Sequence, residues 1–152
     1  MNNFVIEKLK KQIGQEIADS PSPMAIWLRG TLRKVEEGEI EADFTVRREM
    51  TNPYGTIHGG AIALIMDEII GATVFTLNTK NAYVSVNLNV DFIKSAKKDE
   101  IITAKAKVIR KGSTIVNAEC FLYNNKGRIL ARGTSNLVST NIIKSFHNSK
   151  TL

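Results

Sequence analysis

The chain has 152 residues, of which 43% are hydrophobic and 24% charged. These values are close to globular averages, so they exclude a disordered chain, and the length fits one domain that can bury a core without disulfides. The single cysteine, Cys120, excludes a disulfide framework and a cysteine-rich metal site. The formal net charge of +6 favours an anionic partner, whether nucleic acid, anionic lipid or a phosphorylated small molecule. The first residues lack a signal-peptide core, so we expect a cytoplasmic protein.

The N-terminal segment has the pattern of an amphipathic helix. Phe4, Leu9, Ile13 and Ile17 recur at about four-residue spacing, which predicts a helix over residues 4–17 that packs on its own domain. A helix lying on a membrane surface is the alternative. The prolines in the DSPSP segment at 19–23 end this helix. We therefore divide the chain into an N-terminal helix and linker (1–22), a main domain (23–140) and a C-terminal tail (141–152).

The main domain alternates between strand and helix patterns. A hairpin is predicted over 31–47 with its turn at Gly38, and the strictest alternation of apolar and polar residues runs from Val84 to Phe92. Three further strands are predicted at 100–110, 114–123 and 128–139. The connections between the last four strands are too short for parallel crossovers, so the sheet should be antiparallel there. Its second face is polar enough to lie against solvent or a partner.

The longest apolar stretch, residues 57–77, predicts a central helix. Asp67 and Glu68 lie at its centre, and each acid there costs about 2.5–3.5 kcal/mol on membrane-insertion scales, so a membrane span is excluded. Apolar residues surround most of the helix, which indicates that protein wraps around it. A sheet with one face covered by such a helix is an α+β domain.

Asp67 is the strongest candidate for chemistry in this sequence. A carboxylate on a buried helix needs partners, because burial disfavours its charged form. The plain alternatives are that Asp67 lies on an exposed stripe of the helix or caps a neighbouring backbone group.

The loop before the helix, TNPYGTIHGG at 51–60, is the second candidate. His58, Gly59 and Gly60 stand at the predicted helix start, where unpaired N–H groups and the positive end of the helix dipole collect. The glycines allow a ligand to approach the backbone closely, which suits a carbonyl oxygen or a developing oxyanion. A structural loop histidine is the plain interpretation of His58 alone. Cys120 alternates with apolar residues on a strand, which indicates a buried structural thiol.

The motif N-P-x-G-x-x-H-G-G, followed by A-x-x-x-x-x-D, spans Asn52 to Asp67 and resembles the hotdog-fold acyl-CoA thioesterases of the PaaI-like branch. The strand spacing after it, including the turn at Gly112–Ser113, matches as well. The resemblance implies a long antiparallel sheet wrapped around the central helix. It also implies subunits joined edge to edge, active sites at the dimer interface, and dimers paired into tetramers. The substrate would be an acyl-CoA, with no separate cofactor or metal, since CoA is part of the substrate.

The resemblance also implies roles for individual residues. Asp67 would act as general base on water or as nucleophile, and the Gly59 N–H would stabilise the oxyanion. Asn52 and His58 would orient the thioester carbonyl and the loop, and Ser85 would help to place the water. The Asn52–His58–Gly59 side would come from one subunit, and Asp67 with Ser85 from the other.

Substrate-binding positions are expected at the loop and at two basic regions near strand ends. CoA carries phosphates and therefore favours cations and open backbone at the mouth of its site. The expected residues are Gly60, Lys94, Arg110, Lys111, Gly112 and Ser113. The acyl group depends on pocket shape, for which Met66, Ile70 and Tyr83 are informative positions.

Three other functions compete with this one. A non-catalytic acyl-CoA-binding regulator of the same fold would lack the catalytic acid, which this chain has. A hydroxyacyl-thioester dehydratase would carry a proline-rich loop, whereas this loop contains Pro53 alone. A nucleic-acid binder is disfavoured because aromatic residues make up 7% of the chain and do not interleave with the basic ones.

Overall fold

The computed structural model describes residues 3–144. Two short helices come first and are followed by a hairpin, a 3₁₀ turn, a long helix and four strands. The elements are α1 (Phe4–Lys10), α2 (Pro23–Leu28), β1 (Thr31–Glu36), β2 (Glu39–Thr45), the 3₁₀ turn (Arg48–Met50), α3 (Gly59–Phe75), β3 (Asn81–Phe92), β4 (Ile101–Lys111), β5 (Ile115–Asn124) and β6 (Ile129–Ile143).

The strands form one six-stranded antiparallel sheet in the order β1-β2-β4-β5-β6-β3. α3 lies against one face of the sheet, and its residues Ile65, Met66 and Ile70 are completely buried there. Their burial supplies the main hydrophobic contact between the two layers. The predicted α+β hotdog fold, with its antiparallel sheet around a central helix, is confirmed. No helix within residues 3–144 is long and apolar enough to span a membrane.

The predicted N-terminal helix is wrong in its second half, because α1 ends at Lys10. Gly14 has a φ of +82°, a left-handed conformation that glycine adopts without strain and that a helix cannot continue through. Beyond it the chain runs beside β1: Ile17 N–H donates to the Gly30 carbonyl at 2.8 Å, and Glu16 pairs with Thr31. Pairing with the sheet edge replaces the last predicted turns of helix.

The sequence interpretation also missed α2, which begins at Pro23, the first residue of the expected main domain. Ser22 is its N-cap, with the hydroxyl accepting from the Ala25 N–H at 3.4 Å, and Pro23 is its first residue. Serine before a proline is a common helix start, because the missing N–H of proline is not needed there. The DSPSP segment therefore does not end α1, which stops at Lys10, and instead its last proline begins α2.

β3 contains a bulge that breaks the predicted alternation. The pairing of β3 with β6 shifts by one residue between Ser85 and Asn87. Ser85 is opposite Leu137 and Leu88 is opposite Ser135, and both partners are buried residues of β6. Residues directly opposite each other share a face of the sheet. The bulge therefore places Ser85 on the helix side, although the alternation put it on the other face.

The C-terminal strand is longer than predicted, since β6 continues to Ile143 instead of ending near 139. Its last residues pair with the start of β3, where Asn81 is opposite Ile143. The rest of the predicted tail, residues 145–152, lies outside the described residues. The division of the chain into three regions stays a prediction.

Candidate functional site

The start of α3 presents a free backbone donor. His58 is the N-cap, and its Nδ1 accepts from the Gly60 N–H at 2.8 Å. The Gly59 N–H has no acceptor within residues 3–144. It lies at the positive end of the helix dipole, so it can donate to a ligand oxygen. The ring of Phe92 packs close by, 3.2 Å from where a Cβ on Gly59 would stand.

The loop before α3 is held by the side chain of Asn52. Its Oδ1 accepts from the N–H groups of Tyr54 at 3.0 Å and Thr56 at 3.2 Å, and its Nδ2 donates to Thr56 Oγ1 at 2.9 Å. Gly55 completes the turn with a φ of +76°. Asn52 thus fixes the loop that leads into His58. Its predicted contact with a thioester carbonyl stays a prediction.

The side chains of Asp67 in α3 and Ser85 in the edge strand β3 are hydrogen-bonded to each other. The Ser85 hydroxyl donates to Asp67 Oδ1 at 2.9 Å, and the second carboxylate oxygen has no donor among residues 3–144. Asp67 is exposed in the single chain, and Glu68 beside it is half-buried. Protein covers most of α3, as expected, but it leaves the Asp67 position uncovered in one chain. One stripe of α3 stays open, as the exposed-stripe alternative proposed.

A mostly apolar cavity of about 330 Å³ opens on one side of Asp67. It lies between α3 and residues 9–28, so the N-terminal segment closes it. From α3 it is lined by Asp67, Gly71 and Phe75. Residues four apart lie on the same side of a helix, so the cavity runs along α3 for about 12 Å.

A groove lies on the other side of Asp67, along the free edge of β3. It is lined by Ala63 and Leu64 of α3 and by Val86 and Leu88 of β3, and it shares Asp67 and Ser85 with the cavity. The carboxylate therefore stands where the groove and the cavity meet. A ligand bound at this junction would extend into the cavity on one side and into the groove on the other.

The two predicted halves of the catalytic site do not meet within one chain. Gly59 and Asp67 are eight positions apart on α3, which corresponds to about 12 Å along the helix axis. One carbonyl group cannot contact both. Gly59 lies beside Phe92 near the end of β3, whereas Asp67 lies beside Ser85 near its start.

The expected CoA-binding residues also divide into two groups. Lys94 follows β3 and its N–H donates to the Leu130 carbonyl. Arg110 of β4 is opposite Asn117 of β5, which in turn is opposite Asn136 of β6. The Arg110–Ser113 turn therefore lies at the same level of the sheet as the first half of β3. Leu130 and Asn136 are six positions apart in β6, which corresponds to about 20 Å along the strand. Within one chain these cations lie at opposite ends of the sheet.

The pocket residues differ from those that the sequence suggested. Tyr83 lines the cavity, but Met66 and Ile70 face the sheet and are completely buried in the core. The sequence interpretation missed Gly71 and the lining contributed by α2. An isolated glycine inside an otherwise good helix pattern was the available signal for the first. The Ser22–Pro23 helix start was the signal for the second.

The remaining candidates carry no further chemistry. Cys120 is buried, as predicted, and burial raises the pKa of its thiol to about 12. A thiol in that state is inert at neutral pH. Residues 3–144 contain no cluster of three or more His, Cys, Asp and Glu side chains that could hold a metal ion.

The sequence and the fold of the chain are similar to those of known proteins. The sequence model of the thioesterase superfamily matches residues 54–131. Human acyl-coenzyme A thioesterase 13 is 31% identical over 104 residues, which are 68% of this chain and 74% of that protein. Thioesterase superfamily member 2 from zebrafish superimposes with a TM-score of 0.75 and 26% identity, covering 91% of this chain and 97% of that one.

A hypothetical thioesterase from Streptococcus pneumoniae TIGR4, crystallised with coenzyme A, shares the fold. Its TM-score is 0.71 at 23% identity, with 76% of this chain and 88% of that chain covered. The matched segment begins in the loop before α3 and contains Gly59, Asp67 and Ser85. The resemblance that the loop motif predicted is confirmed: the chain belongs to the thioesterase superfamily.

Proposed function

We propose that the protein is an acyl-CoA thioesterase, which hydrolyses the thioester to a free acid and CoA. The observation that carries the proposal is the Asp67 carboxylate, held by Ser85 at the junction of an apolar cavity and an open groove. The junction suits a thioester, because the acyl group can occupy the cavity while the thiol part follows the groove. The names of the human relative and of the CoA-bound streptococcal structure support the same substrate class.

Asp67 supplies the base or the nucleophile of the reaction. Its Oδ1 is occupied by the Ser85 hydroxyl, which leaves Oδ2 to accept a proton from water or to attack the thioester carbon. As a base, it removes one proton from water while the water oxygen bonds to the carbonyl carbon. The C–S bond then breaks, the carbonyl re-forms as the acid, and the CoA sulfur takes up the proton.

The Gly59 N–H stabilises the oxyanion that forms on the carbonyl. A backbone donor at a helix start is already oriented, so it needs no reorganisation during the reaction. Because Gly59 and Asp67 of one chain are about 12 Å apart along α3, the donor must come from a second subunit. The site is therefore shared between two chains.

The free edge of β3 is the surface that joins the two chains. This edge strand is 12 residues long, and Val86, Phe92 and the following Ile93 are each about 60% exposed. A long apolar edge strand favours pairing with another strand. The opposite edge, β1, has six residues and carries charged side chains, so it is less suited to pairing.

Antiparallel pairing of β3 with its copy brings the separated groups together. The strand direction reverses across the two-fold axis, so the Gly59 end of one chain lies beside the Asp67 end of its partner. The same reversal brings Lys94 of one chain toward the Arg110–Ser113 turn of the other. The two cation groups then border one site, where the CoA phosphates would bind. Association of dimers into tetramers stays a prediction from the family.

Substitution of Gly59 tests the donor directly. Gly59→Pro removes the N–H at the first helical position, where proline is accepted, while Gly59→Ala keeps the N–H and adds a similar Cβ. We expect kcat for acyl-CoA hydrolysis to fall about 100- to 1,000-fold in the proline variant and far less in the alanine variant. Asp67→Ala should abolish turnover while circular dichroism shows an unchanged fold. Equal activity of the proline and alanine variants would exclude the donor role, and an active Asp67→Ala variant would exclude the proposed enzyme mechanism.

A further inference from the structure

We propose that the cavity between α3 and the N-terminal segment holds the acyl group, and that position 71 sets how long this group can be. The inference rests on the proposed function, because it names the part of the substrate that enters the same site. The residues that close the cavity precede the segment that matches the superfamily, 54–131. The proposed acyl pocket therefore combines α3, which lies in the matched segment, with N-terminal residues that lie before it.

The walls of the cavity suit a hydrocarbon chain. Its volume of about 330 Å³ lies within the usual range of small-molecule sites. Asp67 stands at one end and Phe75 at the other, so an acyl chain that starts at the reacting carbon extends along α3. The apolar lining beyond α3 comes from the N-terminal segment and the sheet: Leu9, Ile17, Ala25, Leu28, Leu32, Ile40, Phe44 and Leu137.

The charges in the cavity exclude an anionic acyl group. Asp19 and Glu68 line it together with Asp67, and no described residue that lines it is basic. Glu68 Oε1 accepts from the Ser22 hydroxyl at 2.9 Å, which ties α3 to the N-cap of α2 and closes one wall. Asp19 is paired with Lys8 at 3.3 Å, but a second carboxylate on the substrate would still meet Glu68 and Asp67, and no lining cation is there to pair with it. The cavity therefore favours uncharged, apolar acyl groups.

Gly71 leaves open the space that the chain would occupy. A Cβ built on Gly71 has no neighbour within 4 Å, although the residue lies inside α3, one turn before its end. Glycine inside a helix costs about 1 kcal/mol relative to alanine, so helix stability does not favour it here. Gly71 stands one turn beyond Asp67 on the cavity side. A larger side chain there would fill the space directly behind the reacting carbon.

Measured acyl preferences of four chains test the inference. The ratio of kcat/KM for decanoyl-CoA to that for butanoyl-CoA is measured for the wild type, Gly71→Ala, Gly71→Leu and Ala25→Leu, with succinyl-CoA as the anionic probe. We expect Gly71→Leu to lower this ratio by about tenfold or more, with Gly71→Ala intermediate. Ala25→Leu narrows the cavity from the opposite wall and should act in the same direction. The wild type should hydrolyse decanoyl-CoA in preference to succinyl-CoA.

Met24→Leu is the matched control, because Met24 lies beside Ala25 on α2 but is 44% exposed and does not line the cavity. An active wild type whose ratio is unchanged in both Gly71→Leu and Ala25→Leu overturns the pocket assignment and leaves the proposed function standing. If Gly71→Leu does not fold, Ala25→Leu and Gly71→Ala decide the question. A wild type that hydrolyses none of the thioesters overturns the proposed function and this inference with it.

Discussion

The position of Ser85 shows how one residue of backbone irregularity can assemble a site. In a regular strand, Ser85 would lie on the face opposite to the apolar residues of β3. The bulge between Ser85 and Asn87 turns its side chain toward α3 and within 2.9 Å of Asp67. Bulges commonly redirect a side chain next to an active site. The hydroxyl then holds one carboxylate oxygen and leaves the other for water.

Removal of this hydroxyl should weaken catalysis without removing it. In Ser85→Ala, Asp67 keeps its charge but loses the hydrogen bond that fixes its rotamer. We expect kcat to fall about tenfold, the rate equivalent of one hydrogen bond to a charged group, with KM little changed. Steady-state kinetics on one acyl-CoA measure both constants.

Asn89→Ala is the matched control, since Asn89 lies on the same strand but on the outer face, opposite Thr134. It should keep wild-type rates. A Ser85→Ala variant with unchanged kcat would show that the hydrogen bond to Asp67 does not position the carboxylate for the reaction.

The elements that follow regular periodicity were predictable from sequence, and those that depend on local conformation were not. The hairpin, α3 and the last three strands were predicted within a few residues, because alternating burial repeats along each of them. The left-handed turn at Gly14 after α1, the Ser22–Pro23 start of α2 and the bulge after Ser85 each depend on one or two residues. Periodicity averages over such points, so it does not detect them.

The candidate site also contains features that could be predicted from the sequence and features that could not. Asp67, His58 and Gly59 could be chosen as candidates because an acid on an apolar helix and a glycine pair at a helix start are unusual patterns, and their catalytic roles stay predictions. The capping of α3 by His58, whose side chain accepts from the Gly60 N–H, was not predictable, because this side chain could equally face a ligand. The cavity was not predictable either, since residues 9–28 reach α3 only through tertiary packing.

The outer face of the sheet carries ion pairs that link neighbouring strands. Glu39 of β2 contacts Lys34 of β1 at 2.8 Å and Lys107 of β4 at 2.9 Å. Hydrogen bonds from Lys34 and Lys107 lower the pKa of Glu39 from 4.5 to about 2. A depressed folded-state pKa stabilises the fold above the unfolded value, and this contribution is lost as the pH falls from about 4.5 to about 2.

Glu39→Gln should therefore lower the melting temperature modestly at pH 6, because exposed ion pairs contribute little. The difference from wild type should shrink as the pH falls through this window. Glu37→Gln in the β1–β2 turn is the control, since Glu37 has no ion-pair partner within residues 3–144. Carboxyl chemical shifts from NMR measure the Glu39 titration itself. A Glu39 that titrates near 4.5, or a melting difference that is constant with pH, contradicts the assignment.

At the scale of the whole molecule, the two proposed catalytic groups lie too far apart on one long helix to contact the same substrate molecule within one chain. Gly59 is at the start of α3 and Asp67 is near its middle, beside opposite ends of β3. In the proposed dimer, a two-fold axis on the β3 edge resolves this, because each chain contributes a donor to one site and an acid to the other. One chain forms the whole described sheet and helix layer, but the proposed active site needs two chains.

This arrangement makes a quantitative prediction for mixed dimers. In a dimer of one Asp67→Ala chain and one Gly59→Pro chain, one site carries both defects and the other carries neither. Random pairing of equal amounts gives mixed dimers for half of the population, so about a quarter of all sites are intact. Co-expression of the two inactive variants with different affinity tags should therefore restore about a quarter of wild-type activity.

The matched control is co-expression of Asp67→Ala with Asp67→Asn, in which no combination of chains contains an intact acid, and it should stay inactive. Purification through both tags isolates the mixed dimer, which should reach about half of the wild-type activity because one of its two sites is intact. A mixed dimer no more active than its parents would place Gly59 and Asp67 of the same chain in one site. Circular dichroism of the variants checks that α3 is intact in each of them, so that the activity of the mixed dimer decides between the two arrangements.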